Sequence, residues 1–266
     1  MVDLVSSTQV TLRSAPDAGR ARTLELAATL YVPQPVAGVS GPGLLVGHGA
    51  GSRRGRHDGF CREACAQGFV VLALDFRGHG DSGGRGDGPL EQDIFAGVDL
   101  LRSHPRVDPE RVCYRGSSMG GFYGLKAAPQ ACFAALALLC PASEGVILDA
   151  LDDRQASETE SGSRSSPEDA PPRWDTAALR SYFQRQDSVR LASQVECPVL
   201  LVHARGDDVV PLGHSLRLSR HLRTETTLLL LEGGTHTSAQ HDVRVHQYTS
   251  TWLLNKSGWN PAQRTH

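Results

Sequence analysis

The chain alternates short, continuously apolar runs with helical stretches, and this rhythm restricts its fold more than any other feature. Residues 43–47, 69–74, 111–115, 133–140, 197–202 and 226–231 are such runs, bounded by glycine or polar residues. Apolar runs of this length, without polar alternation, suit strands of a parallel sheet covered on both faces. Helical stretches lie between or after them, at residues 60–67, 90–103, 119–128, 212–222 and 241–254. In the second of these, Ile94, Val98 and Leu101 recur at helical spacing. Strand and helix units in turn predict an α/β fold with a mostly parallel sheet. Residues 8–13 and 23–32 instead alternate apolar with polar, as antiparallel strands do, so a mixed sheet is expected.

One stretch breaks the rhythm. Between Pro141 and Gln194 no strand–helix–strand unit is visible, and residues 157–172 are rich in Ser, Glu and Pro. Such composition buries little apolar surface, so this part is expected to be mobile or poorly ordered. Residues 174–186 regain a helical pattern. The reading is a single domain over residues 1–266 with a small cap insertion at about 141–194, which suits a chain of 266 residues.

Composition excludes several classes of function. Hydrophobic residues make up 39% and charged residues 21%, as in soluble globular chains. The formal net charge of -2 gives no reason to expect nucleic acid as a partner. The longest apolar run, 133–140, is far short of a membrane span, and the first residues carry no basic segment followed by a long apolar one. The expected location is cytoplasmic. Six cysteines contain no Cys-x-x-Cys pair, and no histidine stands at zinc-site spacing from them, so no metal and no cofactor are expected. Cys61 and Cys65 read as small apolar residues on one helix face. Cys113, Cys140 and Cys197 read as core thiols of a reducing compartment.

The chemistry-bearing motif is Gly116-Ser117-Ser118-Met119-Gly120, a Gly-x-Ser-x-Gly with a strand before it and a helix after it. A turn that tight exposes its apex side chain in a strained conformation, and small flanking residues avoid clashes. The helix that follows also directs its N-terminus at the apex, favouring negative charge there. Ser118 is therefore the expected nucleophile. Ser117 lacks the symmetric glycine spacing.

A serine hydroxyl needs a base, and the base needs an orienting acid. Two later strand ends supply candidates. After residues 197–202 come His203-Ala204-Arg205-Gly206-Asp207-Asp208, with either aspartate available as the acid. After residues 226–231 come Glu232-Gly233-Gly234-Thr235-His236, and His236 alone among the histidines directly follows the last strand. His214, His241 and His246 fall in helical stretches, the last two in the closing helix as surface or packing residues. Acyl transfer also needs fixed donors for a tetrahedral oxyanion. The backbone N–H of Met119 is one candidate. The loop Gly47-His48-Gly49-Ala50-Gly51 offers the N–H of Ala50 as the other, with His48 bracing the loop by its ring.

With these pieces in order, the chain resembles the α/β-hydrolase superfamily of serine hydrolases, in its esterase and serine-aminopeptidase-like branch. The matching residues are His48-Gly49-Ala50-Gly51, Asp75-Phe76-Arg77-Gly78-His79-Gly80-Asp81-Ser82, Gly116 to Gly120, Gly206-Asp207-Asp208-Val209-Val210-Pro211 and His236. The resemblance implies an eight-stranded mixed sheet with helices on both faces and a cap between strands six and seven. It implies the chain order Ser, acid, His, and its Asp-x-x-Val-Pro spacing selects Asp207 over Asp208. It reads the Arg77-Gly78-His79-Gly80-Asp81-Ser82 turn as a structural loop beside the site. A serine at the elbow excludes the aspartate nucleophile of haloalkane dehalogenases and epoxide hydrolases, and the cysteine of dienelactone hydrolases. The expected activity is hydrolysis of a small-molecule carboxylic ester through an acyl-enzyme on Ser118. Thioesterase, amidase, peptidase, perhydrolase or acyltransferase chemistry would use the same residues, since fold alone does not select a substrate. A ligand-binding module without turnover usually lacks one of the three catalytic residues, and here all three are present.

Overall fold

A computed structural model describes residues 5–15, 23–34, 40–158 and 171–259. Most of the Ser-, Glu- and Pro-rich stretch at 157–172, expected to be mobile, lies outside the described residues.

Eight strands form one open sheet: β1 (Val5–Ser14), β2 (Leu24–Pro33), β3 (Gly41–Gly47), β4 (Val70–Leu74), β5 (Val107–Ser117), β6 (Leu136–Leu139), β7 (Val199–Ala204) and β8 (Thr226–Leu231). Their order across the sheet is β1-β2-β4-β3-β5-β6-β7-β8. The β1–β2 and β2–β4 pairs are antiparallel and the other pairs parallel, so the sheet is mixed as the two alternating N-terminal runs predict.

The strands interleave two cores. Leu44 and Val46 of β3, with Val71 and Ala73 of β4, face one layer, which also holds Phe60, Cys61 and Cys65 of α1 (Asp58–Ala66). Leu45, Leu72 and Leu74 face the other layer, with Ile94, Val98 and Leu101 of α2 (Glu91–Ser103) and Phe122 and Leu125 of α3 (Met119–Ala131). Burial on both faces is why these strands read as unbroken apolar runs. Cys61 and Cys65 are both fully buried on α1, in keeping with packing.

Among the described residues between β6 and β7 lie three helices: α4 (Glu144–Glu158), α5 (Thr176–Phe183) and α6 (Ser188–Ala192). Only α5 was expected there. Its return segment is stitched to the loop after β4: the N–H of Arg173 donates to Gly78 O (2.7 Å), that of Gly86 to Arg173 O (2.8 Å), and that of Asp175 to Gly86 O (2.8 Å). The chain then forms α7 (Leu212–His221), the short α8 (Ser238–His241) and α9 (Val243–Lys256). The closing helix expected at 241–254 thus starts at Val243, where the Asp242 carboxylate accepts from Arg244 N (2.8 Å) and caps it. His241 belongs to α8 instead.

Strand β3 sits where connections leave in opposite directions, with β4 on one side and β5 on the other. In open α/β sheets the crevice at the carboxyl ends of such strands is where ligands bind. Gly47 of β3 pairs in register with Gly116 of β5, so the two loops bearing His48–Gly51 and Ser118 leave the sheet side by side.

Candidate active site

Ser118 stands at the turn from β5 into α3 with φ 51° and ψ -117°, a conformation that costs a non-glycine residue about 1–3 kcal/mol. The surroundings hold it there. Its N–H donates to Leu139 O at the end of β6 (2.9 Å), and its carbonyl accepts from Phe122 N (3.1 Å) and Ala142 N (3.0 Å). Gly120 is required by packing: a Cβ there would lie 2.7 Å from the carbonyl oxygens of both Gly47 and His48. The elbow therefore presses on the β3 loop, and any larger residue would part them.

That loop is braced as its sequence suggests. The His48 ring is fully buried, with Nε2 accepting from Phe76 N (3.0 Å) and Nδ1 donating to Gly49 O (2.7 Å). Burial lowers its pKa to about 4, so it is neutral and its proton is fixed on Nδ1. Gly49 packs against Ser118: a Cβ at Gly49 would be 3.3 Å from the serine Cβ. Ala50 and Ser118 line one cavity, and Met119 opens α3. Among the described residues, neither the Ala50 nor the Met119 N–H donates to a protein acceptor. Both remain available to an oxyanion.

The adjacent aspartates are treated very differently. The Asp207 side chain is 1% exposed, and its Oδ2 accepts from Nδ1 of His236 at 2.8 Å. Its Oδ1 accepts from the N–H groups of Val209 (2.9 Å) and Val210 (2.8 Å). Asp208 is exposed. Burial alone would raise the Asp207 pKa, but hydrogen bonds from His236, Val210 and Val209, with a further one from the Cys140 thiol, outweigh it and hold the group at about 2. His236 and Ser118 line the same cavity of about 460 Å³, with no hydrogen bond between the two side chains. Such bonds are often long in an unliganded site and tighten with substrate.

Cys140, His203 and Asp207 bring potential metal ligands within 4.8 Å of one another. Their valences are spoken for: His203 accepts from Ser215 Oγ at Nδ1 (2.8 Å) and donates to Val210 O at Nε2 (2.9 Å), while Asp207 is engaged as above. The cluster is a brace for Asp207, built from the ends of β6 and β7.

The loop after β4 is held by its own bonds, and Gly78, Gly80 and Asp81 from it line the cavity. The Asp75 carboxylate accepts from Asp81 N (3.0 Å) and Arg54 N (2.6 Å) and pairs with the Arg54 guanidinium. Ser82 Oγ donates to Asp75 O (2.6 Å) and accepts from Ala27 N (2.9 Å), sewing the turn to β2. Arg77 and Asp93 form a fully buried pair at 2.7 Å, also contacted by Ser14 Oγ.

A second support behind His236 is not among the expectations from sequence. Arg115 of β5 is fully buried, with its guanidinium 4.0 Å from the centre of the Phe60 ring. Its Nη2 donates to Gln240 O (3.1 Å), which also accepts from His246 Nε2 (2.8 Å). Gln240 Nε2 in turn donates to His236 O (3.2 Å). Burial lowers the Arg115 pKa to about 10, so it stays charged, against the carbonyl end of α8 where the helix dipole favours a cation. An arginine inside an otherwise apolar strand was the available signal. His246 is thus a packing residue, as expected, whereas His241 lines the cavity and stacks on His57 at 5.8 Å.

Comparison with known proteins agrees with the fold. The profile of the prolyl oligopeptidase family matches residues 62–260. The quorum-quenching protein AidA of Acinetobacter baumannii is 34% identical over 122 residues, 43% of this chain and 40% of that protein. The human alpha/beta hydrolase domain-containing protein 17C is 25% identical over 194 residues, 70% of this chain and 50% of that one. The match spans between 40% and 60% of the length of these and the other curated relatives. Among solved structures, Est1E of Butyrivibrio proteoclasticus, with ferulic acid bound, superposes with TM-score 0.70 at 24% identity, covering 89% of this chain and 97% of that one.

Proposed function

Since the chain belongs to the prolyl oligopeptidase family, within the α/β-hydrolase superfamily, we propose that it is a serine hydrolase that cleaves carboxylic esters through an acyl-enzyme on Ser118. The observation that carries this reading is the 2.8 Å bond from His236 Nδ1 to the buried Asp207, facing one cavity with a serine held at φ 51°. With Nδ1 donating to Asp207, the neutral imidazole keeps Nε2 as a free base. His236 takes the Ser118 proton as Oγ attacks the ester carbonyl. The carbonyl oxygen becomes an oxyanion, which accepts from the N–H groups of Ala50 and Met119. Collapse expels the alcohol, which leaves with the proton from His236. Water then attacks the acyl-enzyme as His236 takes its proton, and collapse releases the carboxylic acid while His236 returns that proton to Ser118 Oγ. Asp207 stays ionised throughout and stabilises the imidazolium.

The small cap at about 141–194 covers part of this site: Pro171 and Arg173, from its return segment, line the cavity. Est1E carries ferulic acid, and one further neighbour at TM-score 0.66 is the acetyl xylan esterase 1 of Thermoanaerobacterium, so esters are the first substrates to test. The family's own description favours a second reading, amide or peptide hydrolysis by the same residues. A fluorophosphonate probe is expected to label Ser118 in the folded protein and not the Ser118→Ala variant. Turnover of 4-nitrophenyl acetate is expected to exceed that of 4-nitroacetanilide by a wide margin. Absence of labelling would overturn the hydrolase reading, and comparable ester and anilide rates would favour the peptidase.

A further inference from the structure

The strand that leads to Asp207 carries a polar side chain of its own. His203 stands near the end of β7, in the otherwise apolar run Val199-Leu200-Leu201-Val202-His203-Ala204. It is fully buried, as are Val210 and Ser215, the two residues its ring bonds. An imidazole buried in such a strand is costly unless both nitrogens are satisfied. Its partners fix the tautomer. Val210 O can only accept, so Nε2, 2.9 Å away, carries the proton. Nδ1 is then the bare nitrogen of a neutral ring and accepts from Ser215 Oγ at 2.8 Å. Burial lowers the His203 pKa, which favours this neutral form.

The ring ties β7, the Asp207 turn and α7 to one another. Asp207 Oδ1 accepts from Val209 N and Val210 N, so the turn folds around its own carboxylate. Val209 within it is 50% exposed. The Val210 carbonyl is held from the interior by His203, and the His203 ring is held by Ser215 of α7. His203 Nε2 also lies 3.4 Å from Asp207 Oδ2, the oxygen that accepts from His236 Nδ1 at 2.8 Å. One carboxylate oxygen therefore has two imidazoles beside it. A charged His203 would compete with the His236 imidazolium for that oxygen. A neutral ring with its N–H on that side attracts the carboxylate without adding a second cation.

We propose that His203, oriented by Ser215, is a positioning residue that anchors the Asp207 turn and so keeps the carboxylate in line with His236. The proposal rests on the hydrolase reading for its effect on rate, whereas its effect on the Asp207–His236 bond is measurable without turnover. Three variants test it. His203→Leu fills space without a ring N–H, His203→Gln offers an amide N–H to Val210 O, and Ser215→Ala removes only the hydroxyl that orients the ring. Rates are taken per site labelled by a fluorophosphonate, so loss of folded protein does not count. His203→Leu is expected to lower kcat on 4-nitrophenyl acetate about tenfold or more, with KM within about twofold, and His203→Gln to recover most of that loss. Ser215→Ala is expected to lower kcat about threefold, and it carries the test if His203→Leu does not fold. In an Asp207→Asn background neither substitution should lower kcat further by more than about twofold, because its effect runs through Asp207. The downfield proton resonance of His236 Nδ1–H should shift or broaden in His203→Leu and return in His203→Gln. Losses that multiply in the Asp207→Asn background, or an unchanged kcat and resonance in folded variants, would overturn the proposal. A wild-type protein that neither labels nor turns over would overturn the hydrolase reading, and the resonance would then decide this proposal by itself.

Discussion

The Asp207 carboxylate illustrates how one residue acquires a role its neighbour lacks. Donors from His236, Val209, Val210 and Cys140 surround it, whereas Asp208 is left at the surface. With a pKa of about 2, Asp207 is ionised wherever the protein is folded and working. Asp207→Asn keeps the shape but removes the charge, and an amide can present the wrong partner to Nδ1. This variant is expected to lower kcat on 4-nitrophenyl acetate by about three to four orders of magnitude, as loss of the orienting acid does in serine hydrolases generally. Asp208→Asn is expected to change kcat by less than about twofold, as an exposed residue off the network should. Steady-state kinetics on both variants checks the assignment, and similar losses in the two would refute it. The stability consequence has a definite sign. A depressed carboxylate stabilises the fold above its ordinary value of 3.8, and that contribution is lost as pH falls toward about 2.

Among the elements, β5 does more than present Ser118. Ser118 leaves from its carboxyl end, and Arg115 reaches from the same strand to the carbonyl of Gln240 in α8, whose side chain donates to His236 O. Ser118 and His236 are therefore referenced to one strand. Arg115→Met keeps much of the hydrocarbon packing against Phe60 but leaves Gln240 O to His246 alone. The expected result is a fall of about tenfold or more in kcat with KM nearly unchanged, in protein with native circular dichroism, because a small misplacement of the base costs rate more than affinity. An unchanged kcat would remove Arg115 from this role. The sequence signals only that Arg115 is unusual in an apolar strand; its partner is not legible, because the link runs to a helix more than a hundred residues away. The strands themselves were legible, since two-sided burial writes a continuous apolar run. So were Ser118, Asp207 and His236 as candidates, since each stands just beyond such a run. Helix α4 was not: Ile147, Leu148 and Leu151 are followed by acidic residues, and the helix gains its support by packing on α5. Helix α6 is a single short turn held by the Asp187 cap, which accepts from Arg190 N at 3.0 Å. His241 was assigned to the wrong helix because the Asp242 cap that separates α8 from α9 looks, in sequence, like any helical residue.

At the scale of the whole molecule, the fold depends on histidines that must stay neutral. Burial lowers the pKa of His48 to about 4, of His79 to about 3 and of His214 to about 4, and places that of His57 well below the ordinary 6.5. Three of them carry buried ring nitrogens, His57 Nε2, His79 Nε2 and His214 Nε2, with no partner among the described residues, so protonation there would add an unsolvated charge. In the unfolded chain the same rings take up protons near pH 6.5. Between that value and about 4, the unfolded state binds more protons than the native one, so stability rises with pH. Their contribution is complete above about pH 7 and is lost as pH falls toward 4. Each group costs up to roughly 1.4 kcal/mol per pH unit in that window, so together they should remove several kcal/mol on acidification from pH 7 to 5. Burial pushes the Glu91 and Asp93 carboxyls upward, an effect of opposite sign, so the variant comparison below is what separates the histidine share. The expected outcome is a Tm that drops markedly between pH 7 and 5. The drop should be smaller in a His79→Phe variant, which keeps a ring against His48 and Trp174 but cannot titrate. A Tm independent of pH over this range, or the same dependence in both proteins, would show that these rings are protonated at little cost. The buried cluster around the site would then be wetter than its packing indicates.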